Sequence, residues 1–308
     1  MYTILCGIIC NHIFSRGSKT LMAYPLMEHL IGKGFLYCGK YYRVSSELTG
    51  SLQKPVDIRI YYETVRVKDG VLLFVEDHLQ RLVNSVKGLE YFPVDTSKIL
   101  AESYSFIDMD GIRDGSVRIV LTKEALLIHQ ADISLPSDEQ FEKGINTSIL
   151  NWERKTPNLK IFRGDYKTTV NEKFKEENSH GLPFELVLTD NEGKLYEGSM
   201  SNLFVIRDGK VYSAPDNKIL IGITRKRVMT ALERSGLELQ TGTFAPEELD
   251  ASKDALFVSS TPFDILPVRY MDEYEFDSAN NGILKMISKM YKEYTSEYID
   301  AAKRALNG

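Results

Sequence analysis

Glu197 stands in the run YEGSMSNLF, at the end of a short strand-like stretch and directly before the small residues Gly198 and Ser199, which let another group approach the backbone. The arrangement presents an acid to a pocket, although a lone Glu-Gly-Ser is more often a hairpin with a solvated carboxylate. Further on, Gly222-Ile223-Thr224 opens an amphipathic helix whose Val228, Met229 and Leu232 are expected to face inward. Helix N-termini carry unpaired N–H groups and the positive end of the dipole, so they suit a phosphate. A third group, Ser259-Ser260-Thr261, offers hydroxyls and N–H groups in a strand-end loop, which outside any context is a polar turn.

The elements that must position these groups read as two successive α+β units. Residues 35–45 and 58–67 are rich in aromatic and β-branched residues, and Lys68-Asp69-Gly70 supplies a turn into LLF, so a meander is expected. Glu76 and Asp77 open a helix in which Leu79, Leu82, Val83 and Leu89 recur at three- and four-residue spacing, to about residue 90. A second helix near 96–108 and strands at 116–122 and 125–133 complete an antiparallel sheet with helices packed on it. Polar SLPSDEQFEKG marks a boundary, which assigns residues 1–33 to an N-terminal extension, 34–139 to a small α+β domain and 140–308 to a larger one. In the latter a helix from about Asp165 to Ser179 precedes closely spaced, mainly antiparallel strands at 184–190, 194–197, 202–207 and 210–213. Strands near 237–242, 255–260 and 264–270 and a last helix over about 281–306 follow.

With 308 residues, 43% of them apolar and 26% charged, the chain has the composition of an ordinary cytoplasmic enzyme. A net charge of −5 with scattered basic residues provides no footprint for nucleic acid or an anionic membrane. Cys6, Cys10 and Cys38 form no zinc pattern and no disulfide framework, and no metal is expected. The apolar opening MYTILCGIICNHIF lacks a basic flank and is too short to span a bilayer, so residues 1–21 read as an extension outside the fold.

Four blocks, in order, resemble the class IV (fold-type IV) aminotransferases that use pyridoxal 5′-phosphate (PLP). ETVRVKDGVLLFVEDHLQRLVNS is similar to the family's stretch ending in H-x-x-R-L, YEGSMSNLF to its E-G-x-x-x-N hairpin, LIGITR to its phosphate cup, and LFVSSTPFDILPV to its strand-end loop. The family includes branched-chain and D-amino acid aminotransferases and aminodeoxychorismate lyases. The resemblance implies an α+β fold with a small N-terminal domain and a larger C-terminal domain of mainly antiparallel strands with helices, PLP in the cleft between them, and a homodimer.

By the same resemblance Glu197 faces the pyridine nitrogen of PLP, and Arg81, Ile223, Thr224, Ser260 and Thr261 serve the phosphate or the substrate carboxylate. A guanidinium meets phosphate oxygens with a planar fork, which suits Arg81. His78, on the same helix face, reads as a packing or capping residue. Two lysines compete for the covalent bond to the cofactor: Lys160, in an N-P-x-x-K-like setting at a strand end, and Lys167, in a D-I-K-like setting early in a helix. Lys160 is preferred, because Asp165 makes a good N-cap and leaves Lys167 as an ordinary helical residue. Arg118 matches an arginine that helps bind the substrate carboxylate in branched-chain aminotransferases, whereas the D-amino acid enzymes carry theirs near Lys123; this tilts the reading toward an L-amino acid. Tyr61, on the face of Glu63, is preferred over Tyr62 as the aromatic lining the substrate site. The implied reaction moves an amino group between an amino acid and a 2-oxo acid. The alternatives are a PLP-dependent lyase and a degenerate, non-catalytic relative.

Overall fold

A computed structural model describes residues 23–90 and 92–307 and forms two compact units, one of the residues up to Ile133 with Lys160–Thr168, the other of Ser134–Leu159 and Thr169 onward. The first unit contains β1 (Tyr24–Pro25), β2 (Gly34–Tyr37), β3 (Lys40–Arg43), α1 (Glu47–Leu52), β4 (Pro55–Val56), β5 (Tyr61–Lys68), β6 (Val71–Leu72), α2 (Val75–Leu89), α3 (Thr96–Asp110), β7 (Gly115–Leu121) and β8 (Leu126–Gln130). Its main sheet runs β3-β2-β8-β7-β5-β6, with β1 and β4 paired separately. The β5–β6 hairpin turns on Asp69 and Gly70, with φ of 53° and 76°. Both central residues of a tight hairpin with the strand's own twist need positive φ, which explains Asp-Gly there.

Alternation along β5 sends Tyr61, Glu63, Val65 and Val67 to one face of the sheet, where Leu79, Leu82 and Val86 of α2 and Phe106 of α3 cover it. The other face packs Phe35, Val120 and Leu127 against Tyr24, Leu26, Met27 and Phe162. Tyr24, Leu26 and Met27, which fall within the expected extension, therefore belong to the core of this unit. Burial of three large apolar side chains, at roughly 1.5–3 kcal/mol each, outweighs much of the cost of ordering so short a segment. The expectations for residues 1–21, Cys6 and Cys10 lie outside the described residues. The chain also returns to this unit after the expected boundary: Tyr62 N donates to Lys160 O at 3.4 Å and Phe162 N to Ile60 O at 3.1 Å, so residues 160–162 run along the start of β5.

The second unit contains α4 (Asp138–Lys143), β9 (Ile145–Asn151), β10 (Glu185–Thr189), β11 (Leu195–Gly198), β12 (Asn202–Arg207), β13 (Lys210–Ser213), α6 (Ile223–Arg234), β14 (Leu239–Thr241), β15 (Ala255–Ser260), β16 (Asp264–Met271), β17 (Tyr274–Glu275) and α7 (Gly282–Asn307), while α5 (Gly164–Lys173) spans the change of unit. Its sheet runs β11-β10-β9-β16-β15-β12-β13-β14, with β17 on β16. The hairpins pair antiparallel as expected, but β9 lies parallel to both β10 and β16, and β13 parallel to β14. One sheet face packs on α6 and α7 through Val228, Ala231, Leu232, Leu284 and Ile287. Met229, expected on that inward face, is 36% exposed. α5 stops at Lys173 and not at Ser179, because Asn178 Nδ2 donates to Thr147 O at 3.1 Å and to Ser148 Oγ at 3.0 Å, offering the chain a non-helical set of bonds.

The architecture is α+β, as the sequence implied. Among the described residues no helix is long and apolar enough to cross a membrane, and no His, Cys, Asp or Glu cluster is placed to hold a metal ion.

Candidate active site

Glu197, the penultimate residue of β11, lies opposite Leu188 of β10 and is buried. Its Oε1 accepts from Arg154 Nη1 at 3.2 Å and its Oε2 from the Leu220 N–H at 3.1 Å. Burial pushes its carboxyl above the ordinary value, against Arg154 and the Leu220 N–H, which pull it down. Arg154 was not singled out in the sequence; it follows β9, where Trp152 N donates to Thr189 O at 3.2 Å and Trp152 O accepts from Tyr196 OH at 2.5 Å. Its other arm, Nη2, donates to Leu159 O at 3.4 Å. One guanidinium thus holds both the acid and the carbonyl immediately before Lys160.

The small residues after Glu197 have a different use from the expected one. Fully buried Glu185 accepts from Ser199 Oγ at 2.6 Å, from Leu186 N at 2.8 Å and from Met200 N at 3.3 Å. A Cβ at Gly198 would lie 3.2 Å from that carboxyl group and against Ser201 Oγ. Glycine and serine here make room for a second buried acid, whose pKa burial raises.

At the start of α6, Gly222 is the N-cap with no side-chain cap, and a Cβ there would run into Asn202 Oδ1. Asn202 Nδ2 in turn donates to Leu220 O at 2.8 Å. Ile223 and Thr224 are buried in the first helical turn, where N–H groups have no intrahelical acceptor. Arg225, likewise buried, pairs with Asp216 at 2.8 Å and adds a cation to the positive end of the helix. Leu220 and Ile223 are only three positions apart, so the acid's backbone partner and the helix start lie within about 11 Å of each other. Ser260 donates its hydroxyl to Met200 O at 2.7 Å, and Thr261 is half-buried in the turn after β15. This set fits PLP chemically: a buried carboxyl for a ring N–H, and an uncapped helix start for a phosphate.

In the first unit Arg81 is occupied in a way the sequence did not announce. Its Nε and Nη2 donate to Glu63 Oε1 at 2.8 Å and Oε2 at 2.6 Å, so the fork edge expected on phosphate meets an internal carboxylate. His78 Nδ1 lies 2.7 Å from the same Oε2, which makes His78 a member of the triad and more than a packing residue. Burial would raise Glu63, but the Arg81 charge and the bonds from Arg81 and His78 outweigh it and hold it at about 2. His78 is pushed below its ordinary value by burial.

Tyr61 lies in the core beneath α2, its hydroxyl donating to Glu90 Oε2 at 3.2 Å, because the face it shares with Glu63 is the covered one. Tyr62, on the opposite face, stacks on Phe162 at 3.8 Å between ring centroids, and Phe162 stacks on Tyr24 at 4.4 Å. Arg118 sits 5.7 Å from the Tyr62 and Phe162 rings, and its Nη1 donates to Glu28 Oε2 at 3.2 Å. The Lys160 amine lies 5.0 Å from the Tyr62 ring centre and the Lys160 N–H donates to Ser85 Oγ at 3.2 Å. Lys167 approaches Glu28 at 3.9 Å. Asp165 does not cap α5; it lies in the first turn and pairs with Arg163 at 2.7 Å. The structure thus gathers Tyr62, Arg118, Lys160 and Lys167 around one sheet face and leaves Tyr61 out. The signal for Tyr62 over Tyr61 was the strand's alternation, read with the wrong face taken as open.

A profile of the amino-transferase class IV family matches residues 61–271, about two thirds of the chain. The chain belongs to this family. It is similar to the D-alanine aminotransferase of Bacillus licheniformis, 25% identical over 242 residues that span 72% of this chain and 82% of that one. It is also similar to the aminodeoxychorismate lyase of Bacillus subtilis, 23% identical over 247 residues, 75% of this chain and 84% of that one. Among solved structures, a branched-chain amino acid aminotransferase from Escherichia coli superposes with a TM-score of 0.68 at 21% identity, covering 84% of this chain and 92% of that one. A further branched-chain amino acid aminotransferase, solved with pyridoxamine 5′-phosphate, superposes with a TM-score of 0.71 at 19% identity, covering 88% of this chain and 96% of that one. The chain is thus a class IV enzyme with the fold of the solved aminotransferases, in a family whose chemistry depends on PLP.

Proposed function

We propose that this class IV enzyme transfers an amino group between an L-amino acid and a 2-oxo acid with PLP attached to Lys160. The observation that carries the reading is the second unit's pairing of a buried acid with an uncapped helix start, Glu197 and α6 being joined through Leu220. Bound PLP supplies a carbonyl for the amine and a ring that takes up the electron pair left when Cα loses its proton. Glu197 holds the proton on the ring nitrogen by a charge-assisted hydrogen bond. Ile223 and Thr224 offer N–H groups to the phosphate, with Thr261 beside them in role and Arg81 as a further cation; Ser260, whose hydroxyl is engaged by Met200, contributes its backbone.

Lys160 takes and returns the proton at Cα when its amine is released. Support for Lys160 over Lys167 comes from Arg154, which ties the Leu159 carbonyl to Glu197, whereas the Lys167 amine faces Glu28. Arg118 receives the substrate carboxylate, and Tyr62 in place of Tyr61 lines the substrate side. Branched-chain amino acids are the first donors to assay, and a cytoplasmic homodimer is the state in which to assay them.

Borohydride reduction of the PLP-loaded protein followed by peptide mapping tests the reading: the label belongs on Lys160, and a label on neither Lys160 nor Lys167 would sink it. The lyase alternative draws on the similarity to aminodeoxychorismate lyase. Steady-state assays with amino donors and 2-oxoglutarate against assays with aminodeoxychorismate separate the two.

A further inference from the structure

Arg154 stands apart from the residues that the resemblance assigned. It lies outside any strand, it is only one-fifth exposed, and its two arms reach Glu197 Oε1 at 3.2 Å and Leu159 O at 3.4 Å. The fork of an arginine can serve an acid and a carbonyl at once, which a lysine's point charge cannot do in fixed geometry.

The surroundings of Glu197 make this contact decisive. The carboxyl is almost wholly buried, and burial favours its neutral form. Buried Glu185 is a second acid nearby and opposes ionisation as well. Tyr196, next in the chain, is held neutral by burial, and Leu188 opposite on β10 carries no charge. Among the described residues, the Leu220 N–H and the Arg154 guanidinium stand against these.

From this geometry we infer that Arg154 is a positioning residue that keeps Glu197 in its carboxylate form and fixes it relative to the peptide carbonyl preceding Lys160. In this reading it acts through Glu197. A neutral Glu197 could accept a ring N–H only through its carbonyl oxygen, and the charge-assisted bond that holds the proton on the ring nitrogen would be lost. Arg154 thereby decides whether the acid can do its assigned work. The inference rests on the reading of Glu197 as the ring-nitrogen acid.

The test uses the full chain, first without added cofactor. With carboxyl-13C glutamate incorporated and the Glu197 signal assigned through Glu197→Gln, its titration is followed in the native protein, Arg154→Met and Arg154→Lys. Arg154→Met should raise the titration midpoint by about 1 to 3 pH units, the usual effect of removing an opposite charge at this distance. Arg154→Lys, which keeps the charge, should recover most of that shift. An unmoved midpoint in Arg154→Met, or a lysine variant no different from the methionine one, overturns the inference. The 15N resonance of the ring nitrogen in PLP-loaded protein separates the two levels of the claim. If it ignores Glu197→Gln, the assignment of Glu197 fails while the effect of Arg154 on its charge stands; if it responds to Glu197→Gln and not to Arg154→Met, the role of Arg154 fails alone.

Discussion

Glu63 accepts both Nε and Nη2 of Arg81, at 2.8 and 2.6 Å, with acid and base both buried. Each is the other's counter-charge, so removing one leaves a charge stranded in the core. Glu63→Gln or Arg81→Met alone is expected to cost about 3–5 kcal/mol, whereas the double variant should cost much less than the sum. Urea unfolding of the four proteins measures the coupling, and strict additivity would show that the pair is not the unit it looks to be.

Acid should weaken the fold well before carboxylates are protonated. Buried His129 donates Nδ1–H to the Gln130 carbonyl at 2.8 Å, and burial, reinforced by Arg118, lowers its pKa from 6.5 to about 4. The unfolded chain binds the proton below about pH 6.5 and the folded chain does not, so stability falls as the pH drops from about 6.5 to about 4. The loss amounts to about 3 kcal/mol. His78, also depressed by burial, acts with the same sign. Thermal unfolding between pH 8 and pH 5 should show the decline, and His129→Gln should flatten it; an equally steep decline in that variant would remove His129 as a cause.

The two tyrosines of β5 should behave oppositely. Tyr62→Leu removes the ring stacked on Phe162 beside Arg118 and Lys160, and should raise KM for the amino acid with a modest loss of stability. Tyr61→Phe removes only a hydroxyl bonded to Glu90, and should cost about 1 kcal/mol with kinetic constants unchanged. Steady-state kinetics beside denaturation curves decide it, and a kinetic effect confined to Tyr61→Phe would reverse the assignment.

Gly222→Ala places a methyl group against Asn202 at the start of α6. The helix start should shift while the core beneath it, Val228 to Leu232, stays packed. PLP affinity measured by equilibrium dialysis is expected to fall about tenfold, equivalent to about 1.4 kcal/mol, with a nearly unchanged unfolding midpoint. Undiminished affinity would remove the α6 N-terminus from the phosphate site.

Local sequence determined much of this protein. Periodicity placed α2 to within a residue or two, Asp69-Gly70 announced its hairpin, and Gly222-Ile223-Thr224 announced a helix start, because each depends on neighbours within a few positions. Glu197 at a strand end was legible for the same reason. Only the tertiary structure decided what each charged group meets. That Arg81 spends its fork on Glu63, 18 residues away, that Arg154 reaches Glu197 across 43, and that Glu28 reaches Arg118 across 90, follow from strand order and register. The choice between Tyr61 and Tyr62 was of that kind too. Alternation states that two neighbours point apart, but which side the helices cover is a property of the folded sheet.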